Sequence, residues 1–445
     1  MLTEPEIKRA LDAALAHSRA DQTEVLLFET DAALTRFANN EIHQNVAERD
    51  ASLLVRLVVG RKIGVASLNR TDEAGARLAV DRASELARFQ VDNPDFQSLP
   101  GPKPVSPANG YSEATAAFNP EDRARGVAVI VRRALENNLV AAGAFSTNVS
   151  QVALANSLGV YRHHRSTHGD LTTVIMSEDS SGYAGQVAMD ARDIDPDAVT
   201  RVAVDKALRG RNPQAAEPGD YEVVLDEHAV CDVIDFFGYL GFGAKAVQEG
   251  RSFMSGRLGE RVLGENISIW DDGLAADTIP MPFDYEGVPR RRVELIRDGK
   301  AAGIVYDTVT AAKDGKESTG HGLPAGSTFG PVPAHLHLGT GTATKEDLIA
   351  SVRRGIWVTR FWYTRTVHPL SITVTGMTRD GTFLIENGEI VAPVRNLRFT
   401  QSYVEALNSV DLIGREATLE HDFMGFNRVP ALKIAKWTFT GATEY

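Results

Sequence analysis

Apolar residues recur at two different spacings along the first half of the chain. A spacing of three or four residues predicts an amphipathic helix, whereas strict alternation predicts a strand with one buried face. Helical spacing covers four segments, residues 1–20, 71–88, 120–137 and 196–209. Alternation fills much of the sequence between them, with turn signals at Gly60 and at residues 156–159. One segment rich in Pro, Gly, Asn and Ser, residues 91–118, predicts a long loop.

The pattern changes near Pro218, after the loop-like stretch GRNPQAAEPGD. A strand (YEVVLD) and a helix over residues 227–240 follow, and strands then dominate. Two hairpins are predicted at the dipeptides Asp298-Gly299 and Asn387-Gly388, because these residues supply the positive φ of a type I′ turn. A single helix, residues 345–355, interrupts the strands.

This mixture of helices and strands lacks regular βαβ alternation, which favours an α+β fold over a doubly wound sheet. A chain of 445 residues has the length of about two domains. We therefore predict a mixed α/β N-terminal domain over residues 1–217 and a β-rich C-terminal domain over residues 218–445.

Composition indicates a soluble protein of a reducing compartment. The single cysteine, Cys231, excludes an intrachain disulfide. No apolar run approaches the roughly 18 residues of a membrane span, and the N-terminus lacks the unbroken apolar core of a signal peptide. The formal net charge of −12 repels a polyanion at long range. We therefore expect a cytoplasmic protein that binds neither membrane nor nucleic acid.

Zinc hydrolysis requires two or three imidazoles or carboxylates on one rigid face and an open position for water. The helix over residues 227–240 contains no HExxH motif, since no second His follows His228. Three further histidines fall in a predicted strand, where neighbouring side chains point to opposite faces, so we interpret them as surface or interface residues. They are His163, His164 and His168.

The remaining candidates for a catalytic or peptide-binding role are His321, His335 and His337. The last two would share one face of a strand, and His321 lies in a Gly-rich loop, STGHGLPAGSTFG. Long loops of this kind often carry function as mobile lids. A purely structural role is the alternative for all three.

Other chemistries lack their motifs. A broken GxGxxG, formed by Gly238, Gly241 and Gly243, follows a helix instead of a strand, and this is the wrong context for a nucleotide. No GxSxG string is present. Cys231 has apolar neighbours in the predicted helix, which indicates a buried small hydrophobe and not a nucleophile.

Four segments of the second half carry a family resemblance. They are EGRSFMSGRLGERVLGENISIWDDG, FDYEGVPRRRVELIRDGKAAGIVYD, AHLHLGTGTATKEDLIASVRRGIWV and GTFLIENGEIVAPVRNLRFT. The most specific string is IENGEI, residues 385–390. In order and spacing these segments resemble the TldD/PmbA metallopeptidase family, also named modulator of DNA gyrase. The first half fits more loosely, through its opening helix and the run NNEIHQNVAERDASLLVRLVVGRKIGVASLN.

The resemblance implies one of two kinds of subunit. The TldD kind carries an HExxxH zinc helix after the first strand of its second domain, and the PmbA (TldE) kind lacks it. The corresponding helix here offers only Asp232 and Asp235, whereas zinc prefers His nitrogen and Cys sulfur. The resemblance thus implies a PmbA-like subunit without a cofactor of its own, paired with a zinc-bearing TldD-like partner that acts on unfolded peptides.

Two other interpretations stay open. The chain could be a self-sufficient metallopeptidase with an atypical site at His321, His335 and His337, or a non-enzymatic binding or scaffold protein. A homodimer is expected for the isolated chain, because closed two-fold pairs dominate among soluble oligomers.

Overall fold

The structure, a computed structural model, describes residues 1–442 and contains two β-sheets with helices packed against them. The strands of the first half are β1 (Gln22–Ala38), β2 (Glu41–Val59), β3 (Lys62–Leu68), β4 (Val140–Asn156), β5 (Tyr161–Met176) and β6 (Ser181–Ala188). Its helices are α1 (Glu4–His17), α2 (Glu73–Phe89), α3 (Glu113–Ala116), α4 (Pro120–Glu136) and α5 (Pro196–Arg209).

The second half contains more strands and shorter helices. Its strands are β7 (Gly219–Leu225), β8 (Ile269–Asp271), β9 (Val293–Arg297), β10 (Lys300–Ala301), β11 (Leu336–Leu338), β12 (Arg354–Val358), β13 (Phe361–His368), β14 (Thr373–Thr378), β15 (Thr382–Glu386), β16 (Glu389–Pro393), β17 (Leu397–Ser402), β18 (Val410–Asp422) and β19 (Gly425–Ala442). Its helices are α6 (Glu227–Leu240), α7 (Ala244–Gln248), α8 (Thr308–Lys313), α9 (Lys345–Ala350) and α10 (Tyr403–Asn408).

The first sheet has six antiparallel strands in the order β3-β2-β1-β4-β5-β6. Alternation along β1 gives its two faces different partners. Val25 and Leu27 pack against α1 and α2, whereas Leu26 belongs to a cluster on the opposite face that includes Tyr285 of the second half. The first sheet therefore carries helices on one face and the second half of the chain on the other.

The second sheet has thirteen strands, and β19 lies at its centre, paired with β7, β11, β17 and β18. The apolar run of β7 is buried on both sides. Val223 and Leu225 contact the main core around α6, while Val224 joins a second cluster with Leu348 of α9. Burial on both faces explains why this strand lacks polar alternation.

Buried charges join the two halves. The Arg56 guanidinium of β2 donates to Glu24 at 2.8 Å and to Glu286 of the second half at 3.1 Å. Lys206 of α5 lies 3.3 Å from Asp226, the residue before α6. These contacts connect strand β2 and helix α5 of the first half to the second half.

Most of the predicted elements are present, and the α+β fold class is confirmed. The helix predicted over residues 345–355 is wrong in its second half. It ends at Ala350, because Arg354–Val358 pairs in parallel with β7 and antiparallel with β15. The sequence analysis also missed the short helices α3, α7, α8 and α10. The two sheets share no strand, with the first sheet ending at Ala188 and the second beginning at Gly219, while the domain limits themselves stay a prediction.

No helix among the described residues is both long and apolar enough to span a bilayer.

Candidate functional site

Helix α6 occupies the centre of the second half. It follows β7 through Asp226, whose carboxylate accepts a hydrogen bond from the Trp357 indole at 2.8 Å and pairs with Lys345 at 3.1 Å. Although burial opposes it, the charges of Lys206 and Lys345 lower the pKa of Asp226. The helix itself is almost entirely buried, so its polar side chains must find partners inside the protein.

Asp232 of α6 accepts hydrogen bonds from the Thr364 hydroxyl at 2.7 Å and the Tyr403 hydroxyl at 2.8 Å. Burial raises the pKa of this carboxyl to about 6 in spite of these two donors. The carboxyl therefore titrates close to neutral pH, with both oxygens directed at protein groups.

Asp235, one turn later, is held in the same way. Its oxygens accept from the Asn427 amide at 2.5 Å and from the backbone N–H of Met424 at 3.3 Å. Burial, together with the charge of Asp422, raises the pKa of Asp235 well above its ordinary value. A carboxyl that favours its protonated form in this way is a poor cation ligand.

The residues of α6 do not fit the zinc ion that the TldD kind of subunit is expected to carry on the corresponding helix. Both aspartates are occupied by protein donors, and His228 faces Glu420 at 3.1 Å. Among residues 1–442, no group of three His, Cys, Asp or Glu side chains could hold a metal ion. Cys231 is fully buried, and burial raises the pKa of its thiol well above the usual value, in agreement with its interpretation as a small hydrophobe.

The structure brings two of the three candidate histidines together around Asp271. His321 donates from Nε2 to one oxygen of Asp271 at 2.7 Å, and the backbone N–H of His335 donates to the other at 2.8 Å. Although burial opposes it, the contacts with His321 and Arg290 hold the pKa of Asp271 well below its usual range. The sequence analysis did not single out Asp271, whose only signal was its position in the string IWDDG.

His335 has both ring nitrogens occupied. Its Nδ1 accepts from the Arg290 guanidinium at 3.0 Å, and its Nε2 lies 2.9 Å from the Ile279 carbonyl and donates to it. Burial, reinforced by the nearby charge of Arg290, lowers the pKa of His335 to about 4. This imidazole is neutral at physiological pH and has no lone pair left for a metal.

The ring of His337 does not contact Asp271, although its Nδ1 lies 3.1 Å from the His335 carbonyl and donates to it. The same ring stacks on Trp270 with centroids 5.3 Å apart, and its Nε2 lies 3.6 Å from Asp277. All three histidines are buried, so in this conformation none presents an imidazole to solvent. Their catalytic role stays a prediction, and these contacts favour the structural alternative.

The strand histidines of β5 are separated, as the alternation of side chains requires. His163 contacts Gln151 at 3.1 Å, whereas the Nε2 of His164 lies 2.8 Å from the Pro280 carbonyl of the second half. His168 packs against His421 and Phe426 of the β18–β19 hairpin. His164 and His168 therefore lie between the two halves, as interface residues.

A cleft of about 960 Å³ opens between the two halves, away from the residues described above. It is lined by the β5–β6 turn and by loops of the second sheet, and includes Asp179, Arg379 and Asp380. None of the three candidate histidines lines it. The cleft and the histidine network are thus separate features.

Known protein families match most of the described chain. The profile of the PmbA/TldA metallopeptidase C-terminal domain matches residues 218–441, that of domain 1 matches residues 23–87, and that of the central domain matches residues 112–211. The chain belongs to the PmbA/TldD metallopeptidase family.

Individual proteins are similar to the chain in sequence or in fold. An uncharacterised protein of Methanocaldococcus jannaschii is 27% identical over 274 residues, which cover 60% of this chain and 62% of that protein. Metalloprotease PmbA of Escherichia coli O157:H7 is 22% identical over 98% of this chain and 96% of its own length. The crystal structure of TldE from Thermococcus kodakarensis superposes with a TM-score of 0.89, at 20% identity, over 98% of this chain and 100% of that one.

Proposed function

We propose that this chain is the TldE-type subunit of a cytoplasmic, two-subunit zinc peptidase, and that a TldD-like subunit supplies the metal. The observation that carries the proposal is the state of α6, where Asp232 and Asp235 are each held by two protein donors and the imidazoles of an HExxxH motif are missing. The similarity of the fold to TldE over nearly the whole chain supports it.

The substrate proposed for this pair is an unfolded peptide. An extended peptide can add to a sheet edge through main-chain hydrogen bonds, which hold it with little sequence preference. The zinc of the partner would activate a water molecule for attack on the peptide carbonyl. No residue of this chain is assigned a role in that step, so its contribution is to bind and to enclose.

The test is to purify this chain and a TldD-like subunit separately and to measure zinc and peptide hydrolysis for each and for the mixture. We expect no stoichiometric zinc in this chain, and hydrolysis of an unstructured peptide only when the partner is present. A matched mixture in which the HExxxH motif of the partner has been mutated should be inactive. Hydrolysis by this chain alone, with stoichiometric bound zinc, would contradict the proposal.

The same experiment separates the other interpretations. A self-sufficient enzyme would lose zinc and activity on His335→Ala. A scaffold protein would form a stable homodimer, show no hydrolysis in the mixture, and remain unassociated with the TldD-like subunit in gel filtration. The contacts of His335 with Arg290 and Ile279 weigh against the first of these.

A further inference from the structure

Three aromatic side chains from separate segments form one exposed surface at the C-terminal end of α6. Tyr239 lies in the last turn of α6, Phe329 in the Gly-rich loop, and Phe423 in the turn between β18 and β19. The ring of Tyr239 lies 5.0 Å from that of Phe329 and 5.9 Å from that of Phe423. We call these three residues the aromatic platform.

The rings of the platform are accessible to solvent. Tyr239 is 37% exposed, Phe329 47% and Phe423 54%. Isolated exposed hydrophobics are ordinary on a protein surface, but adjacent aromatic rings contributed by three segments are a feature of binding sites.

Contacts beneath the platform hold it in place. The ring of Phe423 packs edge-on against the buried Phe236, with centroids 5.6 Å apart. The loop of Phe329 is anchored by Lys245, whose ammonium donates to the Thr328 carbonyl. Two residues after Phe423, a Cβ on Gly425 would lie 2.4 Å from the Ala334 carbonyl oxygen, so the hairpin turn packs directly against the backbone at Ala334. The platform is therefore preorganised, and a ligand need not order it.

A negative charge borders the platform. The Asp422 carboxylate, next to Phe423, accepts a hydrogen bond from the backbone N–H of Phe423 at 2.9 Å. Within the part of the chain that the structure describes, no Lys, Arg or His forms an ion pair with it. Asp422 thus adds an acid without a paired cation directly beside Phe423 in the chain, which favours a cationic neighbour in a ligand.

We propose that the aromatic platform binds an apolar side chain of an extended peptide whose neighbouring Lys or Arg lies beside Asp422. The platform consists of three partly exposed rings, which can contact one or two side chains of a peptide, whereas a standard subunit interface buries about 800 Å² on each partner. Aromatic rings bury large apolar areas and prefer the edge-to-face or offset contacts that a peptide Phe or Leu can make here. The proposal rests on the proposed function, since it names the peptide class that this subunit holds for its partner.

The test uses a short fluorescein-labelled peptide that alternates Phe, Arg and Ser, with fluorescence anisotropy on the isolated full chain. Phe423→Ala and Phe329→Ala should each weaken binding roughly three- to tenfold, the range expected for loss of one aromatic contact. Phe89→Ala is the matched control, because Phe89 is 80% exposed at the end of α2 and outside the platform. It should bind like the unchanged chain.

The charge is tested separately. Asp422→Asn should weaken binding of the Phe/Arg peptide several-fold and leave a Phe/Ser peptide unaffected, while Asp92→Asn on the first half should change neither. Equal binding by the unchanged chain and by both Phe variants would overturn the proposal. A second result would also overturn it. If Phe423→Ala still bound the peptide but no longer paired with a TldD-like subunit or no longer formed a homodimer, the platform would be a subunit contact.

The isolated chain needs no peptidase activity for this measurement. If the isolated chain binds the peptide through the platform but the mixture with a TldD-like subunit does not hydrolyse peptide, only the proposed pairing is rejected. If the mixture hydrolyses peptide but the platform variants bind peptide as the unchanged chain does, only the platform proposal is rejected.

Discussion

Neighbouring groups give the buried carboxyls of the second half opposite behaviour. Asp271 receives two backbone N–H groups and an imidazole, and its pKa is held low. Asp232 receives two neutral hydroxyls, and burial dominates, so its pKa rises to about 6. None of these donors is within a hundred residues of Asp232 in the sequence. Local sequence could therefore not predict which acid is ionised.

The raised pKa of Asp232 predicts a pH-dependent stability. The folded state binds the proton more tightly than the unfolded state, in which the pKa of this carboxyl is near its ordinary value of 3.8. This contribution to stability is therefore complete below about pH 4 and is lost as pH rises through about 6. Asp232→Asn should remove that loss. From pH 4 to pH 8, the free energy of unfolding of Asp232→Asn should therefore rise, relative to that of the unchanged chain, by an amount on the order of 2–3 kcal/mol.

Urea unfolding of both proteins at several pH values measures this difference. Asp92→Asn, at an exposed position, serves as the control and should leave the pH profile unchanged. A difference between Asp232→Asn and the unchanged chain that stays constant with pH would show that the carboxyl does not titrate in this range.

Elements set by local signals were predictable. Hairpin turns at Asp298-Gly299 and Asn387-Gly388 form as the positive-φ rule requires, and all four residues have φ between 49° and 81°. Helices α1, α2, α4, α5 and α6 begin within a few residues of their predicted starts. The predicted helix ran into the first two residues of β12, Arg354 and Gly355, because the pairing of β12 with β7 joins residues far apart in sequence. The contact between His321 and Asp271, fifty residues apart, was hidden for the same reason.

Substitution of two hairpin glycines by alanine can distinguish the cost of backbone strain from the cost of steric crowding. Gly60 has φ 60° and open space where a Cβ would lie, whereas at Gly388, with φ 81°, a Cβ would lie 2.7 Å from the Ala350 carbonyl oxygen. Gly60→Ala should destabilise by about 1 kcal/mol through conformation alone. Gly388→Ala should cost about 2–4 kcal/mol, because crowding against a backbone atom adds to the strain. Equal shifts in the midpoint of urea unfolding would refute the crowding argument.

At the scale of the whole molecule, the two halves are joined through charges that water does not reach. Arg56 lies between Glu24 and Glu286, and all three side chains are at least nine-tenths buried. A more exposed pair offers a direct comparison: Arg49, on the same strand as Arg56, pairs with Asp31, and the Arg49 side chain is 57% exposed.

Arg56→Met should destabilise the protein by about 3–5 kcal/mol, because it leaves two carboxyls buried without their cation. Arg49→Met should cost less than about 1 kcal/mol. Hydrogen exchange would show the effect of Arg56→Met at the boundary between the halves, including the segment around Glu286. Similar costs for the two variants would mean that the buried charges do not hold the halves together.

The central position of β19 orders the events of biosynthesis. All strands of the first sheet have been made once translation passes Ala188, so this sheet can form while the rest is still being synthesised. The second sheet cannot be completed until Gly425–Ala442 has been synthesised, because this strand pairs with four others along its length. Before β19 is made, the apolar residues of strand β7 and helix α6 cannot be fully buried. A nascent chain that stalls after Ala188 and before Gly425 is therefore the species that chaperones would have to protect.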